Sequence, residues 1–239
     1  MKKVKQSEIF MFLLTFCITV SYAQIEDAKV SKGLRHGKQK GYYENSNILR
    51  YEGNFNNGKE QGLFTYYAES DKIIVMATRN FDGKNNAYTI FFDEKGNKVS
   101  EGNAKNRLRE GIWTYYHNTS KEVMTIENYK KDKLEGSRKV FYITGKLAEE
   151  VFYKNDLKEG VSKKYSKESK LVEESVFKNG LLQGSYKVFD ESGNQVISGQ
   201  FDKDLKKGLW KYYAGGKLIR QVNVDTIKGI IKPQFRKKE

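Results

Sequence analysis

The chain has 239 residues with a formal net charge of +14, and 38% of its residues are hydrophobic against 31% that are charged. This apolar content is lean for a thick globular core. With one cysteine, Cys17, the chain cannot form an internal disulfide, and a metal site built on several cysteines is excluded as well.

Residues 1–23 have the pattern of a secretory signal peptide: a lysine-rich start, an apolar run over residues 9–20, and small residues at −3 and −1 in Ser21-Tyr22-Ala23. The run is shorter than the ~20 residues that a membrane-spanning helix needs. We therefore expect cleavage before Gln24 and no membrane span afterwards, with an uncleaved N-terminal anchor as the alternative. Cleavage would remove Cys17, three lysines and one glutamate, lowering the net charge from +14 to +12.

A polar lead-in, residues 24–32, precedes a repeat that we expect to occupy residues 33–224. Its period of 24 or 25 residues predicts a repeat architecture. Each copy is marked by a glycine, which Ala87 replaces in the third copy, and aromatic residues follow two, four or five positions later. The glycines, called anchors below, are Gly37, Gly62, Gly111, Gly136, Gly160, Gly184 and Gly208.

Turn signals divide each copy into two strands. One signal lies four or five residues before each anchor, as in Asn57-Gly58 and Asp82-Gly83, and a second polar cluster follows about half a period later. Aromatic and β-branched residues lie between them, which predicts an all-β meander of about eight antiparallel hairpins. Helices are not expected, because no copy keeps an apolar 3.6-residue period for long enough. A basic tail, residues 225–239, follows the array.

The anchors have two interpretations. A glycine inside a strand marks a place where another group packs flat on the backbone, so a Cβ here would crowd the stacked aromatic rings, with Ala87 showing that one copy accommodates a methyl group. Alternatively, the anchors only mark loops.

These features resemble a known repeat. The segments Trp113-Thr-Tyr115-Tyr116 and Trp210-Lys-Tyr212-Tyr213, the anchors before them, and Leu34-Arg35-His36 or Leu134-Glu135 before an anchor are similar to the MORN-repeat variant of bacterial proteins grouped as YwqK-family antitoxins. The resemblance covers nearly all of residues 33–224 and implies hairpins laid side by side in one long, twisted, curved sheet. The antitoxin label implies neutralisation of a toxin, whereas a secretory start does not suit a cytoplasmic one.

No catalytic residue, metal site or cofactor is expected. The two histidines belong to no metal-binding or triad pattern, and no glycine-rich phosphate loop opens a helix. Glu110, Glu135 and Glu159 each precede an anchor and could align as a carboxylate ladder for a cation or acid–base chemistry. The alternative is that they are solvated partners of the many lysines.

The recurring aromatic residues are the candidate binding site. Stacked along a sheet, they could line a groove for an extended peptide or glycan, and the basic charge would favour acidic partners; the alternative is that they form the core. Nucleic acid is not expected, because lysines alternate with acidic residues throughout. The candidates are Phe64, Tyr66, Trp113, Tyr115, Tyr186, Trp210 and Tyr212.

The sequence thus predicts an exported, non-enzymatic scaffold that binds a protein, peptide or glycan in the periplasm, at the cell envelope or outside the cell. Two other functions stay open: an antitoxin-like neutralising protein, and a binder of anionic lipid surfaces. Lipid binding is suggested by the basic tail residues Lys228, Lys232, Arg236, Lys237 and Lys238.

Overall fold

The computed structural model describes residues 30–31, 33–118 and 120–226. The predicted signal peptide, most of the predicted lead-in and residues 227–239 of the predicted basic tail lie outside the described residues. Within the described ranges, no helix is long and apolar enough to cross a membrane.

The described chain is an all-β array, as the turn spacing predicts. A short ladder of β1 (Val30–Ser31) and β2 (Leu34–Arg35) comes first. One open antiparallel sheet of sixteen strands then follows within the described residues, and each inner strand pairs with the strands before and after it in the chain. A 3₁₀ turn, Val224–Thr226, comes after the last strand. The sheet consists of β3 (Gly37–Tyr42), β4 (Leu49–Asn56), β5 (Lys59–Tyr67), β6 (Val75–Phe81), β7 (Asn86–Phe92), β8 (Lys98–Lys105), β9 (Leu108–Tyr116), β10 (Val123–Lys130), β11 (Lys133–Phe141), β12 (Leu147–Lys154), β13 (Leu157–Tyr165), β14 (Leu171–Lys178), β15 (Leu181–Phe189), β16 (Gln195–Asp202), β17 (Leu205–Ala214) and β18 (Lys217–Asn223).

Tight turns lie where the first turn signal of each copy predicts them. Both central residues have positive φ in most of these turns, as in Asn57-Gly58 with φ of 47° and 79° and Asn179-Gly180 with φ of 51° and 83°. Positive φ at both positions matches the right-handed twist of a hairpin and favours Asn, Asp and Gly. Lys131-Asp132 adopts the same conformation without a glycine.

The tight turns other than Asp82-Gly83 are bonded to the repeat before them. Asp132 N–H donates to the Arg109 carbonyl over 3.0 Å, and Asp132 Oδ1 accepts from Arg109 N over 2.8 Å. Asp156 makes the same pair of bonds with Leu134. Since these repeats bind their neighbours along this edge as well as through the strand ladder, they are held in one register.

The predicted carboxylate ladder has a structural role in these turns. Glu110 Oε2 accepts from Lys131 N over 3.0 Å, and Glu135 and Glu159 bind the turn N–H groups of Asn155 and Asn179 in the same way. The partners are therefore backbone amides of the next repeat. In these three bonds the donor is a backbone N–H and not a lysine side chain.

The anchors are required for their backbone conformation. All seven have positive φ, between 64° at Gly208 and 97° at Gly136, a region that costs other L-residues about 1–2 kcal/mol. A Cβ added at Gly160 would meet no described atom within 4 Å, so the expected crowding at this slot is wrong.

The positive φ accompanies a bulge. Between the pairs Glu52↔Thr65 and Asn54↔Gln61, two steps along β4 face four steps along β5, and Gly62 lies in the longer segment. At Ala87 the pairing of β6 with β7 runs unbroken from Arg79↔Thr89 to Phe81↔Ala87, and φ is not positive. The third copy tolerates alanine because it lacks this bulge.

We expect Gly160→Ala to destabilise the protein by about 1–2 kcal/mol, because alanine is strained at positive φ. Gly160→Asn is expected to cost less, since asparagine tolerates this region. Urea unfolding measures both. A larger cost for asparagine than for alanine would mean that space, and not φ, requires the glycine.

As a contrast, Ala87→Gly is also expected to destabilise the protein, by about 0.5–1 kcal/mol, because the extended backbone at residue 87 gains nothing from glycine.

Candidate functional site

One face of the sheet, called the packed face below, carries a row of side chains that crosses all sixteen strands. Cross-strand partners place one residue of each strand in this row, and directly opposed residues share a face. Several members are almost completely covered, among them Phe64, Trp113, Val151 and Trp210. This central row is the core of the sheet. Its members are Gln39, Gly53, Phe64, Arg79, Thr89, Gly102, Trp113, Glu127, Arg138, Val151, Ser162, Ser175, Tyr186, Gly199, Trp210 and Val222.

Three large rings of the row each lie flat on a glycine of the preceding strand. A Cβ added at Gly102 would be 2.5 Å from the Trp113 ring, which is closer than real Cβ atoms approach other atoms. Gly53 under Phe64 and Gly199 under Trp210 are equally close, at 2.4 Å. Gly41 makes room for the Tyr51 ring in the same way, although this pair lies outside the row. The glycines that make room for rings are therefore these and not the anchors. Sequence reasoning missed the three in the row, although each of the three precedes its ring by the same interval of eleven residues.

Other row positions also combine a larger side chain with a small one on the preceding or following strand. Ser162 faces Val151, and both are almost fully buried. Tyr186 faces Ser175 on the preceding strand. These combinations keep the row filled, because protein interiors are close-packed.

A buried ion pair interrupts the apolar row at its middle. Glu127 is only 4% exposed, and Arg138 Nε donates to its Oε1 over 2.8 Å. Tyr129 donates its hydroxyl hydrogen to the other oxygen of Glu127. Burial alone would lower the pKa of Arg138, but the hydrogen bond and the charge of Glu127 outweigh it and raise that pKa. Glu127 is held by two partners, so it serves the packing of the sheet.

A second arginine extends this network. Arg109 Nε lies 2.9 Å from Asp132 Oδ1, its Nη1 donates to the Tyr115 hydroxyl over 3.1 Å, and its Cζ lies 3.8 Å from the centre of the Tyr129 ring. Burial is the main reason why the pKa values of Tyr115 and Tyr129 are raised. Both phenols therefore stay protonated and can donate hydrogen bonds at neutral pH.

The seven candidate aromatic residues all lie on the packed face but differ in exposure. Phe64, Trp113 and Trp210 are between 1% and 4% exposed, and Trp113 Nε1 donates to the Asn103 carbonyl over 2.8 Å. These three rings pack within the sheet. Contact of the seven residues with a partner stays a prediction, and the burial of the three rings directs attention to other surfaces. The four partly exposed candidates are Tyr66, Tyr115, Tyr186 and Tyr212.

The opposite face, called the open face below, carries a stripe of exposed apolar side chains. Leu63 and Ile112, each directly after an anchor, are 61% and 59% exposed. Leu63 faces Asn80 and Ile112 faces Asn128 on the neighbouring strands, so side-chain amides alternate with apolar groups. We call this the open stripe. Its apolar members are Leu63, Tyr88, Ile112, Phe152, Val161 and Leu209, and its amide members are Asn54, Asn80, Asn103, Asn128, Gln200 and Asn223.

A charged ladder runs beside the open stripe in the second half of the sheet. Lys139 Nζ lies 3.4 Å from Glu150 Oε1, and Lys187 Nζ lies 3.3 Å from Glu174 Oε1. These side chains are partly exposed, so each pair contributes between about 0 and 1 kcal/mol. The ladder makes the border of the stripe polar.

Metal ligation is not supported within the described ranges, where no group of three or more His, Cys, Asp or Glu residues is suitably arranged. His117 Nε2 lies 3.1 Å from the Phe141 carbonyl oxygen and is used in packing adjacent repeats.

Comparison with known families identifies the repeat class. Residues 35–57, 134–155 and 158–179 match the MORN repeat variant. The last two segments correspond to the hairpins β11–β12 and β13–β14. No curated protein matches the chain. Three segments of the chain are thus similar to MORN repeats, which are typically non-catalytic binding repeats, and the other described hairpins continue the same sheet.

We expect the pairing of size across the central row to be transferable between repeats. Gly102→Val should cost about 3 kcal/mol or more through overpacking, and Trp113→Ser should cost about 3–5 kcal/mol through the cavity that it leaves. The double variant copies the Val151–Ser162 pair, so its cost should fall below the sum by about 1–3 kcal/mol. A double-mutant cycle in urea measures this coupling, and simple additivity would contradict the proposed contact.

Proposed function

We propose that the protein is an exported, non-enzymatic scaffold that binds a protein or peptide partner at the cell envelope through the open stripe. The observation that carries this proposal is the line of exposed apolar and amide side chains from Asn54 on β4 to Asn223 on β18, in which Ser137, Val176 and Ser185 occupy the intervening positions on β11, β14 and β15. Exposed apolar side chains of this number, arranged in a line and bordered by polar groups, are typical of interaction surfaces.

The chemistry of the stripe favours an extended protein segment. Apolar groups such as Leu63 and Ile112 supply surface to bury, and the intervening amides can donate and accept hydrogen bonds with a peptide backbone. Neighbouring strands are about 4.8 Å apart, so a segment that crosses β4 to β10 would meet amide and apolar groups in turn. A glycan partner would use the amides but leave the aliphatic side chains uncovered.

Export and charge support the location of this function. The signal pattern of residues 1–23 favours the periplasm, the envelope or the exterior. The expected mature charge of +12 would steer acidic partners to the scaffold, so association should slow as salt is added.

The stripe is tested by a triple variant, Leu63→Ser, Ile112→Ser and Leu209→Ser. Each side chain is more than 40% exposed, so the melting temperature should stay near that of the parent protein. Retention of partner from an envelope extract, and its dissociation rate, should change by about tenfold or more if the stripe buries these groups.

A matched control replaces with serine the three exposed leucines that begin β9, β13 and β17, namely Leu108, Leu157 and Leu205. These are 40–48% exposed and lie outside the stripe. The control should keep the partner. Equal loss in both triple variants would mean that general surface hydrophobicity is responsible, and unchanged binding by the stripe variant would refute the proposal.

The mature N-terminus separates export from the antitoxin-like alternative. Mass spectrometry of envelope and secreted fractions should find a chain that begins at Gln24. A full-length chain retained in the cytosol would instead favour neutralisation of a cytoplasmic toxin. Binding to anionic vesicles that is lost on deletion of residues 227–239 would favour the lipid-surface alternative.

A further inference from the structure

A cavity of about 180 Å³ opens on the packed face at the third repeat. It lies over β6, β7 and β8, and its apolar lining includes Phe81, Ala87 and Ala104. The same repeat is the one whose anchor slot holds alanine and whose hairpin lacks the bulge.

The cavity exists because groups that fill this place in other repeats are missing here. The row position of Trp113 and Phe64 holds Thr89 in the third repeat. At the position of Ala104, the other inner even-numbered strands carry an aromatic ring. Those rings are Phe55, Phe81, Tyr129, Tyr153, Phe177 and Phe201.

A cation that covers the ring is missing as well. Arg35 lies 5.2 Å from the Phe55 ring centre, and Lys158 Nζ lies 4.9 Å from that of Phe177. The corresponding residue of the third repeat is Asn85, which lines the cavity. Ala104 thus replaces the ring and Asn85 replaces the cation that covers it, which leaves the cavity between them.

Two buried polar atoms beside this cavity have no hydrogen-bond partner among the described residues. Thr89 is only 1% exposed, and its Oγ1 is buried without a hydrogen-bond partner among the described residues. Arg79 Nε is buried and equally unpartnered in the described chain, while its guanidinium carbon lies 5.5 Å from the Tyr66 ring centre. Buried polar groups are normally paired, but Gln39 Nε2, Ser100 Oγ and Trp210 Nε1 are unpaired as well among the described residues and lie outside the cavity. The charged groups that line the cavity are therefore the better indication of a bound group.

The charges around the cavity select the kind of group. Arg79 and Arg107 line it together with Glu60, and none of the ion pairs among the described residues includes these three. Two positive charges and one negative charge leave an excess of one, which suits a monoanion better than a phosphate dianion. A planar carboxylate also matches the two-pronged donor geometry of arginine.

We propose that this cavity is a receptor for the carboxylate of an acidic side chain, Asp or Glu, on a peptide partner. Phe81, Ala87 and Ala104 would cover the methylene groups of that side chain. The excess positive charge from Arg79 and Arg107 would hold its carboxylate.

The cavity lies on the face opposite the open stripe, so the two proposals involve different residues. Binding here does not require that the stripe binds anything. Failure of the stripe variant and failure of a cavity variant are therefore separate results.

The test uses N-acetylglutamate with its α-carboxyl blocked as the methylamide, so that the side-chain carboxylate is its only charge, and N-acetylglutamine blocked in the same way as the uncharged control of nearly equal shape. Titration of the mature chain, followed by NMR shifts of backbone amides, should give saturable binding of the glutamate probe in the millimolar range, with shifts centred on β6–β8. The glutamine probe should bind at least tenfold more weakly. Equal affinity for both probes, or no saturable shift, would overturn the proposal.

Two variants locate the site. Arg79→Gln should remove an essential charge, and Ala104→Phe should fill the cavity with the ring found in the other repeats; both should abolish saturable binding. Arg50→Gln is the matched control, since Arg50 also lies beside a tyrosine ring, Tyr43, but outside the cavity. Ala104→Phe keeps the outcome interpretable if Arg79→Gln unfolds, and binding that survives Ala104→Phe would overturn the assignment.

A sugar acid is distinguished by a third probe, glucuronate. Tighter binding of glucuronate than of the glutamate probe, lost in Ala104→Phe, would refute the peptide side chain as the ligand. Weaker binding of glucuronate would support it.

Discussion

Among the described residues no second layer packs on the sheet, so the sheet has to cover its apolar surface with its own side chains. Here the solution is a large ring laid on a glycine of the strand before it, as Trp113 lies on Gly102 and Trp210 on Gly199. The ring then covers the backbone of both strands, and its own apolar surface is buried by the same contact. Since burial of an aromatic side chain is among the larger favourable contributions in a small core, the sheet depends on this contact in the repeats that have it.

Because of this packing, the side chain at one row position limits which side chain can lie next to it on the neighbouring strand. A large ring at one row position lies on a small residue of the preceding strand. Glu127 and Arg138 instead fill two neighbouring row positions as an ion pair. Removing either charge alone would leave the other buried and unpaired, which is costly. Repeats of one chain can therefore differ widely in sequence while keeping one backbone, provided that the changes occur in pairs.

The period, the turns and the class of sheet could be predicted from the sequence because they depend on local chemistry, such as positive φ at Asn57-Gly58. The reason for the anchors could not, since recurrence alone does not separate a conformational requirement from a steric one. The sequence left open whether Trp113 lies in the core or in a groove, because its burial depends on Gly102 in the adjacent strand. The bulges also change which residues after an anchor face outward, and the sequence does not reveal them. Leu63 and Ile112 were therefore not among the candidate binding residues.

Each inner strand of the sheet pairs only with its immediate neighbours in the chain. Contacts are therefore short in sequence separation for a β protein, and the loops that must close during folding are short too. Proteins of low contact order fold faster than β-sandwiches or barrels of similar size, and a linear array can nucleate at any hairpin and propagate in both directions. A chain emerging from a ribosome or a translocation pore can thus fold hairpin by hairpin, without waiting for its C-terminus.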